Sequence, residues 1–497
     1  MHHGPPGTPG PPGPQAPPGT PDPPGPRRRT LLRGLAGAGT LLALPALTGC
    51  GAGRRGDPNL VTLASNRANP AQREAVAESV GLFEADSGLT VEVNTFQSTA
   101  FQESINNYLQ GTPDDVIGWF AGYRTRFFAE RGLISDVSEV WDRHFGDVFT
   151  DQVRRLCTAD DGRQYIVPDS TAPWAVFHRR SVFEEHGYEV PATRAEFEEL
   201  CARMRADGLE PLASGIREGW PAMGMFDHLN LRLNGPEFHL ELLNGDHSWD
   251  SAEVRSVFGT WAELLPHHQP DPLGRGINEA QTALVRREAG MMLCGMFITH
   301  VFPEGEDLDD LDCFAFPEFD PAIGADAVEA PIDGFMLSGD PRDPDGAREL
   351  VGHLGTLRAQ EIYTAIDPQA LPTHLDADTS GFSALDAKVN DMVANAGALT
   401  QYMDRDTRPD FASVVMIPAL QRFLEQPDDI ADLTASIQRQ KVSIFGGCTQ
   451  KGEQVWCRTP PHRLETRPRG PHRPRPAGPR AHAGACATAK GTGSPSA

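Results

Sequence analysis

The sequence predicts an α/β fold, on a pattern, a length and a composition. The pattern is a strand–helix–strand–helix–strand rhythm over residues 60–119. The length is that of residues 60–447, enough chain for two lobes with cores of their own. The composition sets that body apart from two flanking segments that lack the apolar residues a core requires.

The elements follow in order. LVTLAS at 60–65 reads as a short buried strand. Asn69 and Pro70 then supply an N-cap and a first-turn proline. Val76, Val80 and Phe83 share one helical face, and Gly88 closes that helix. In LTVEVNTF, 89–96, Leu89, Val91 and Val93 alternate with polar residues as in a strand. Phe101, Ile105 and Leu109 recur at helical spacing up to Gly111, and DVIGW, 115–119, is a third strand. Strands linked in this way pair in parallel with right-handed crossovers, and ligands of such sheets bind beyond the strands' carboxyl ends. Asn66, Gln97 and the loop GWFAGY, 118–123, which carries Trp119 and Phe120, stand at those ends.

The flanks carry addresses rather than fold. Residues 1–26 are Pro/Gly low complexity. Arg27, Arg28, Arg29 and Arg33 introduce an apolar run, 31–47, shorter than the roughly 20 residues of a membrane span. Such a patch, core and small-residue ending make a secretory signal peptide. LTGC at 47–50 resembles a lipobox, which makes Cys50 the expected lipidated first residue, with 50–59 as a linker. RRTLLR at 28–33 resembles a twin-arginine export signal. From 448 to 497 nine basic residues meet two acidic ones in a segment almost without aliphatics, read as a disordered basic tail or the product of a frameshift.

The net charge of −24 therefore conceals a body with 29 basic and 64 acidic residues. Nucleic acid and anionic membrane surfaces are poor partners for it. Cys157, Cys201, Cys294 and Cys313 form no CxxC pair, which argues against zinc, and their pairing stays open. Export in a folded state would favour free thiols. No metal or cofactor is expected.

The stretch DGRQYIVPDSTAPWAVFHRRSVFEEHGYEVPATRAEFEEL, 161–200, resembles the sugar-binding family of ABC-transporter solute-binding proteins. The matching positions are Gly162, Tyr165, Val167, Pro168, Phe183, Gly187, Pro191 and Thr193, while His178 and Arg194 depart from the family's Tyr and Trp. EAGMMLCGMF (288–297), FAFPEFD (314–320), EAPIDGFML (329–337) and QYMDRDTRPDFASVVMIPALQRFL (401–424) resemble later landmarks in the same order. The resemblance implies a type II periplasmic-binding-protein-like fold, two lobes each with a central sheet flanked by helices. It places 60–168 and 331–370 in lobe 1, and 169–330 and 371–447 in lobe 2. Crossings are expected near 168–173, 330–333 and 368–374, with hinge closure around a ligand in the cleft. It further implies a monomer lipid-anchored outside the cell, a sugar or oligosaccharide as ligand, and ABC permease subunits as partners.

A sugar needs aromatic faces for its C–H patches and planar polar groups for its hydroxyls. Trp119, Trp174 and Trp220 are the aromatic candidates, beside Phe120; Trp141, Trp249 and Trp261 read as packing residues. Asp333 in PIDGF, Arg405 and Gln97 are the polar candidates, with Asn66 and Glu218 placed by position alone. For Arg405 an ion pair with neighbouring Asp404 or Asp406 competes. EGEDLDDLD, 304–312, reads as a solvated acidic loop without the Gly and closing Glu of an EF-hand. The rival readings are an exported carbohydrate-active enzyme and an envelope scaffold; the body has no GxSxG, HExxH or phosphate-cradling loop.

Overall fold

A computed structural model of the chain describes residues 59–303, 305–367 and 370–446. The leader, the signal segment with Cys50, the twin arginines, the linker before residue 59, Pro368 in the third crossing and the basic tail lie outside the described residues.

The first sheet is begun by β1 (Leu60–Ser65), β2 (Thr90–Thr95), β3 (Val116–Phe120), β4 (Ile134–Ser135) and β5 (Val167–Thr171). The chain then crosses at Ala172 and Pro173 to a second sheet. There β6 (Trp174–Arg179), β7 (Glu210–Leu212), β8 (Ala289–Gly295) and β9 (Leu311–Phe314) lie in the order β7-β8-β6-β9. After β10 (Ala327–Glu329), the strands β11 (Ile332–Ser338) and β12 (Leu371–Pro372) return to the first sheet. Its order is β12-β5-β11-β3-β1-β2, with β4 on β11. Last, β13 (Ala398–Thr400) pairs with β10 in a two-stranded ladder. The first sheet thus runs on through Thr171 and takes in Leu371 and Pro372, past the expected boundaries at 168 and 370.

Local chemistry explains the layers. β1 pairs in parallel with both β2 and β3, as the crossovers require. The helix Pro70–Ser87 starts where the Asn69 side chain accepts from the Gln72 N–H, and ends at Gly88, whose φ of 72° suits glycine. Its inner face, Val76, Val80 and Phe83, joins Phe101, Ile105 and Leu109 of the helix Ser98–Gln110 in the core on this sheet. β6 is buried on both faces: Trp174 and Val176 enter one apolar cluster, Ala175 and Phe177 another. Trp141, Trp249 and Trp261 are core residues, and the four described cysteines are free and buried.

The acidic loop is more than solvated surface. Asp307 and Asp310 both pair with the buried Arg179, and Asp310 also takes the Ser181 N–H at 2.7 Å. Desolvation of a buried guanidinium calls for such partners. Among the described residues no helix is long and apolar enough to cross a membrane.

Candidate functional site

β11 runs antiparallel to β3, with Asp333 opposite Phe120 and Gly334 opposite Trp119. On its other edge the register with β5 shifts between Asp333 and Gly334. Glycine is required there, because a Cβ on residue 334 would come 2.2 Å from the Val167 carbonyl oxygen. A bulge re-aims the side chain beside it. Asp333 meets Arg405, Nη1 to Oδ1 2.8 Å, and the guanidinium lies over the Phe120 ring at 4.2 Å. The two side chains stay 33% and 21% exposed, so the pair is reachable from solvent.

The partner of Arg405 is therefore Asp333, brought from another strand. Its chain neighbour Asp406 is buried and accepts the N–H groups of Tyr123 and Gln401. A second pair joins the end of β1 to β5: Arg67 contacts Asp169 through both terminal nitrogens at 2.6 and 2.7 Å. That guanidinium also lies over the rings of Tyr363 and Phe335, at 4.2 and 4.7 Å.

Aromatic residues gather where β6 begins. Trp174 stacks on Tyr402 with centroids 4.7 Å apart, and Trp220 and Phe297 meet it edge-on. Glycines make the room: a Cβ at Gly224 would reach 2.5 Å from the Trp174 ring. The Tyr402 hydroxyl donates to the Trp220 carbonyl at 2.7 Å and accepts the Gly224 N–H at 3.0 Å, which saturates it and leaves its ring as the useful part. The Arg405 N–H donates to the Tyr402 carbonyl at 2.8 Å, so one turn of chain joins the aromatic group to the charged one. Trp174 and Tyr402 are 6% and 4% exposed, their rings stacked on each other, beside the partly exposed ion pair.

Comparison with known proteins bears on this geometry. Residues 64–361 match the model of the bacterial extracellular solute-binding protein family, more than half of the chain. The chain belongs to that family.

Among its relatives, an uncharacterized ABC transporter extracellular-binding protein of Pyrococcus horikoshii is 21% identical over 281 residues, 56% of this chain. A probable sugar-binding periplasmic protein of Mesorhizobium japonicum is 22% identical over 273 residues, 54% of this chain. The chain spans 62% and 64% of the lengths of these two. Among solved structures, the bacterial solute receptor AcbH, described as having an exclusive preference for β-D-galactopyranose, is 36% identical with a TM-score of 0.74; the match covers 78% of this chain and 99% of AcbH.

Within this solute-binding protein the expected residues form two contact groups and several separate positions. Phe120, Asp333 and Arg405 are in mutual contact, and Trp174 and Trp220 are in contact with each other. Asn66, half-buried, follows β1 close to Gly118, and Gln97, exposed, is the N-cap of the helix Ser98–Gln110. Trp119 requires a correction. It is 1% exposed, with its ring against Phe101, Phe120 and Phe128 in the core. Phe120 is itself 2% exposed, its ring packed on Trp119 on one side and under the Arg405 guanidinium on the other. Glu218 is exposed and accepts the Ile277 N–H at 3.1 Å, a loop-fixing contact. Sequence reasoning missed Tyr402, Phe297, Arg67 and Asp169. Tyr402 stands inside the quoted landmark QYMDRD, and Arg67 directly after Asn66, so both were within reach.

One buried carboxyl supports the Tyr402 turn, and a second lies near it. Asp227 accepts the Met403 N–H at 2.8 Å, while its other oxygen and both oxygens of Glu329 have no hydrogen-bond partner among the described residues. Burial, and then Asp227, hold the Glu329 carboxyl well above its ordinary range. Burial and Arg232 push neighbouring His228 down to about 3, so it brings no positive charge. A carboxyl raised by folding leaves stability whole below its unfolded pKa of about 4.3 and erodes it as pH climbs toward the folded value. Glu329→Gln is therefore expected to flatten the fall in melting temperature as pH rises above about 4.3. Parallel profiles for variant and wild type would show that Glu329 holds no such proton.

Proposed function

We propose that this protein is the lipid-anchored, sugar-capturing subunit of an ABC importer at the extracellular face of the membrane. It closes around a sugar and hands it, chemically unchanged, to permease subunits; it acts as a monomer without a cofactor. One observation carries the reading: in a chain of the solute-binding family, a single turn joins the Trp174–Tyr402 rings to the Asp333–Arg405 pair. The proposed ligand contacts are Asn66, Gln97, Phe120, Trp174, Trp220, Asp333 and Arg405, with Tyr402 and Phe297 added. They lie between a lobe of 60–171 with 331–372 and a lobe of 174–330 with 376–446. The first sugar to test is β-D-galactopyranose, the preference given for AcbH.

A thermal-shift panel of mono- and oligosaccharides tests this reading. One sugar should raise the melting temperature, by about 2.7 kcal/mol of stabilisation at a hundredfold excess over Kd. A protein indifferent to every sugar would favour the scaffold reading, and sugar cleaved during incubation the enzyme reading.

Export as a folded lipoprotein fits the free thiols, since burial pushes Cys201, Cys294 and Cys313 up to about 12 and keeps them unreactive outside the cell. Cys50→Ala should release the protein from the membrane fraction, and Arg28→Lys with Arg29→Lys should stop its export. Membrane retention in the first variant, or normal export of the second, would contradict the anchor or the route respectively.

A further inference from the structure

We propose that Gln360 and Gln401, two fully buried side chains, pin the hinge by tying the crossing segments to one another. The inference rests on the closure reading above and concerns how that closure is guided.

Gln360 lies in the helix Leu357–Ile366 and is 0% exposed. Its Nε2 donates to the carbonyls of Pro168 and Gly355 at 3.2 and 3.1 Å. Its Oε1 accepts the N–H groups of Thr373 and His374, at 2.8 and 3.0 Å, and the Thr373 hydroxyl at 3.3 Å. Two backbone N–H donors on one atom identify it as the oxygen, so the amide's orientation follows from its surroundings. Pro168 belongs to β5, which leads into the first crossing; Thr373 and His374 directly follow β12, at the end of the third. One side chain thus holds the strand that leads into the first crossing to the end of the third.

Gln401, also 0% exposed, holds the middle crossing to the chain that follows β13. Its Oε1 accepts the Ile332 N–H at 3.0 Å and its Nε2 donates to the Ala330 carbonyl at 3.4 Å. The Pro331 carbonyl between them accepts the Ala172 N–H and the Thr171 hydroxyl, at 3.1 and 3.0 Å, which joins the middle crossing to the first. Gln401 directly precedes Tyr402, so this pin connects to the aromatic group of the proposed site.

Hinge motion is absorbed at a few chain positions. Three crossings free to twist separately would let the lobes swing about several axes. Crossings bound through buried amides must turn together, and a buried amide left unpaired is costly enough to keep them so. Guided closure raises the share of molecules competent to bind, and apparent affinity scales with that share.

The test is a distance distribution between the lobes of the full chain. Dyes are placed through Glu92→Cys and Glu199→Cys, both exposed positions, in a full chain whose tail residues Cys448, Cys457 and Cys486 are changed to serine, while the four described thiols are buried. Gln360→Met keeps the length and removes every amide contact; Gln401→Met does the same for the middle crossing and serves if the first variant fails to fold. The expected result is a broader sugar-free distribution than in the wild type, and a Kd for β-D-galactopyranose raised about tenfold. Variants that lose melting temperature but keep the wild-type width would overturn the pins and leave the glutamines as ordinary core residues. A wild type that no sugar closes would instead overturn the closure reading, while the sugar-free widths still decide the pins.

Discussion

Trp119→Ala is expected to lower the unfolding free energy by about 3–5 kcal/mol, the range for a buried aromatic truncated to alanine. The sugar affinity of the folded fraction should stay as it is. The ring is enclosed by Phe101, Phe120 and Phe128, with the Arg124 guanidinium 5.7 Å from its centroid, so truncation opens a cavity rather than an edge. Urea unfolding followed by sugar titration of the same variant separates the outcomes. Unchanged stability with lost binding would return Trp119 to the ligand surface.

A loss of similar size, about 3–5 kcal/mol, is expected for Asp169→Ala, because it strands a buried cation. Arg67 is 6% exposed and Asp169 2%, and the two-nitrogen contact is the guanidinium's charged partner there. The aromatic rings on either side hold the cation in place and replace little of its lost hydration. The paired variant Arg67→Met with Asp169→Leu removes both charges and should recover much of the loss, since apolar replacement of a buried pair is often near neutral. If the single variant unfolds as the wild type does, the pair contributes no net stability and Arg67 is solvated in some way the structure does not display.

How far the sequence could be read depended on distance along the chain. The helix after β1 was legible in full, because Asn69, Pro70 and Gly88 are local signals with local causes. So was the parallel pairing of β1 with β2 and β3, which follows from their connections. The direction of Trp119 was not. All five residues of VIGWF are buried, so no alternation marks which side faces a ligand and which a helix. Arg405 was legible as a candidate but not its partner: Asp404 and Asp406 are near in sequence, while Asp333 arrives through a strand inserted antiparallel between β3 and β5. Trp174 and Trp220 could be singled out as aromatics near a crossing. Their meeting depends on Gly224 and Gly295 leaving space, a requirement that appears only once the backbones are adjacent.

The central claim is capture of a sugar between these aromatic and charged groups, and calorimetric titration with β-D-galactopyranose tests it most directly. The wild type should bind one sugar per chain with saturable heat. Asp333→Asn, which removes the charge from a partly exposed pair, should weaken binding about tenfold or more, equivalent to about 1.4 kcal/mol. Wild-type protein that gives no binding heat with galactopyranose or any other sugar of the panel, or an Asp333→Asn variant that binds as tightly as the wild type, would contradict the account.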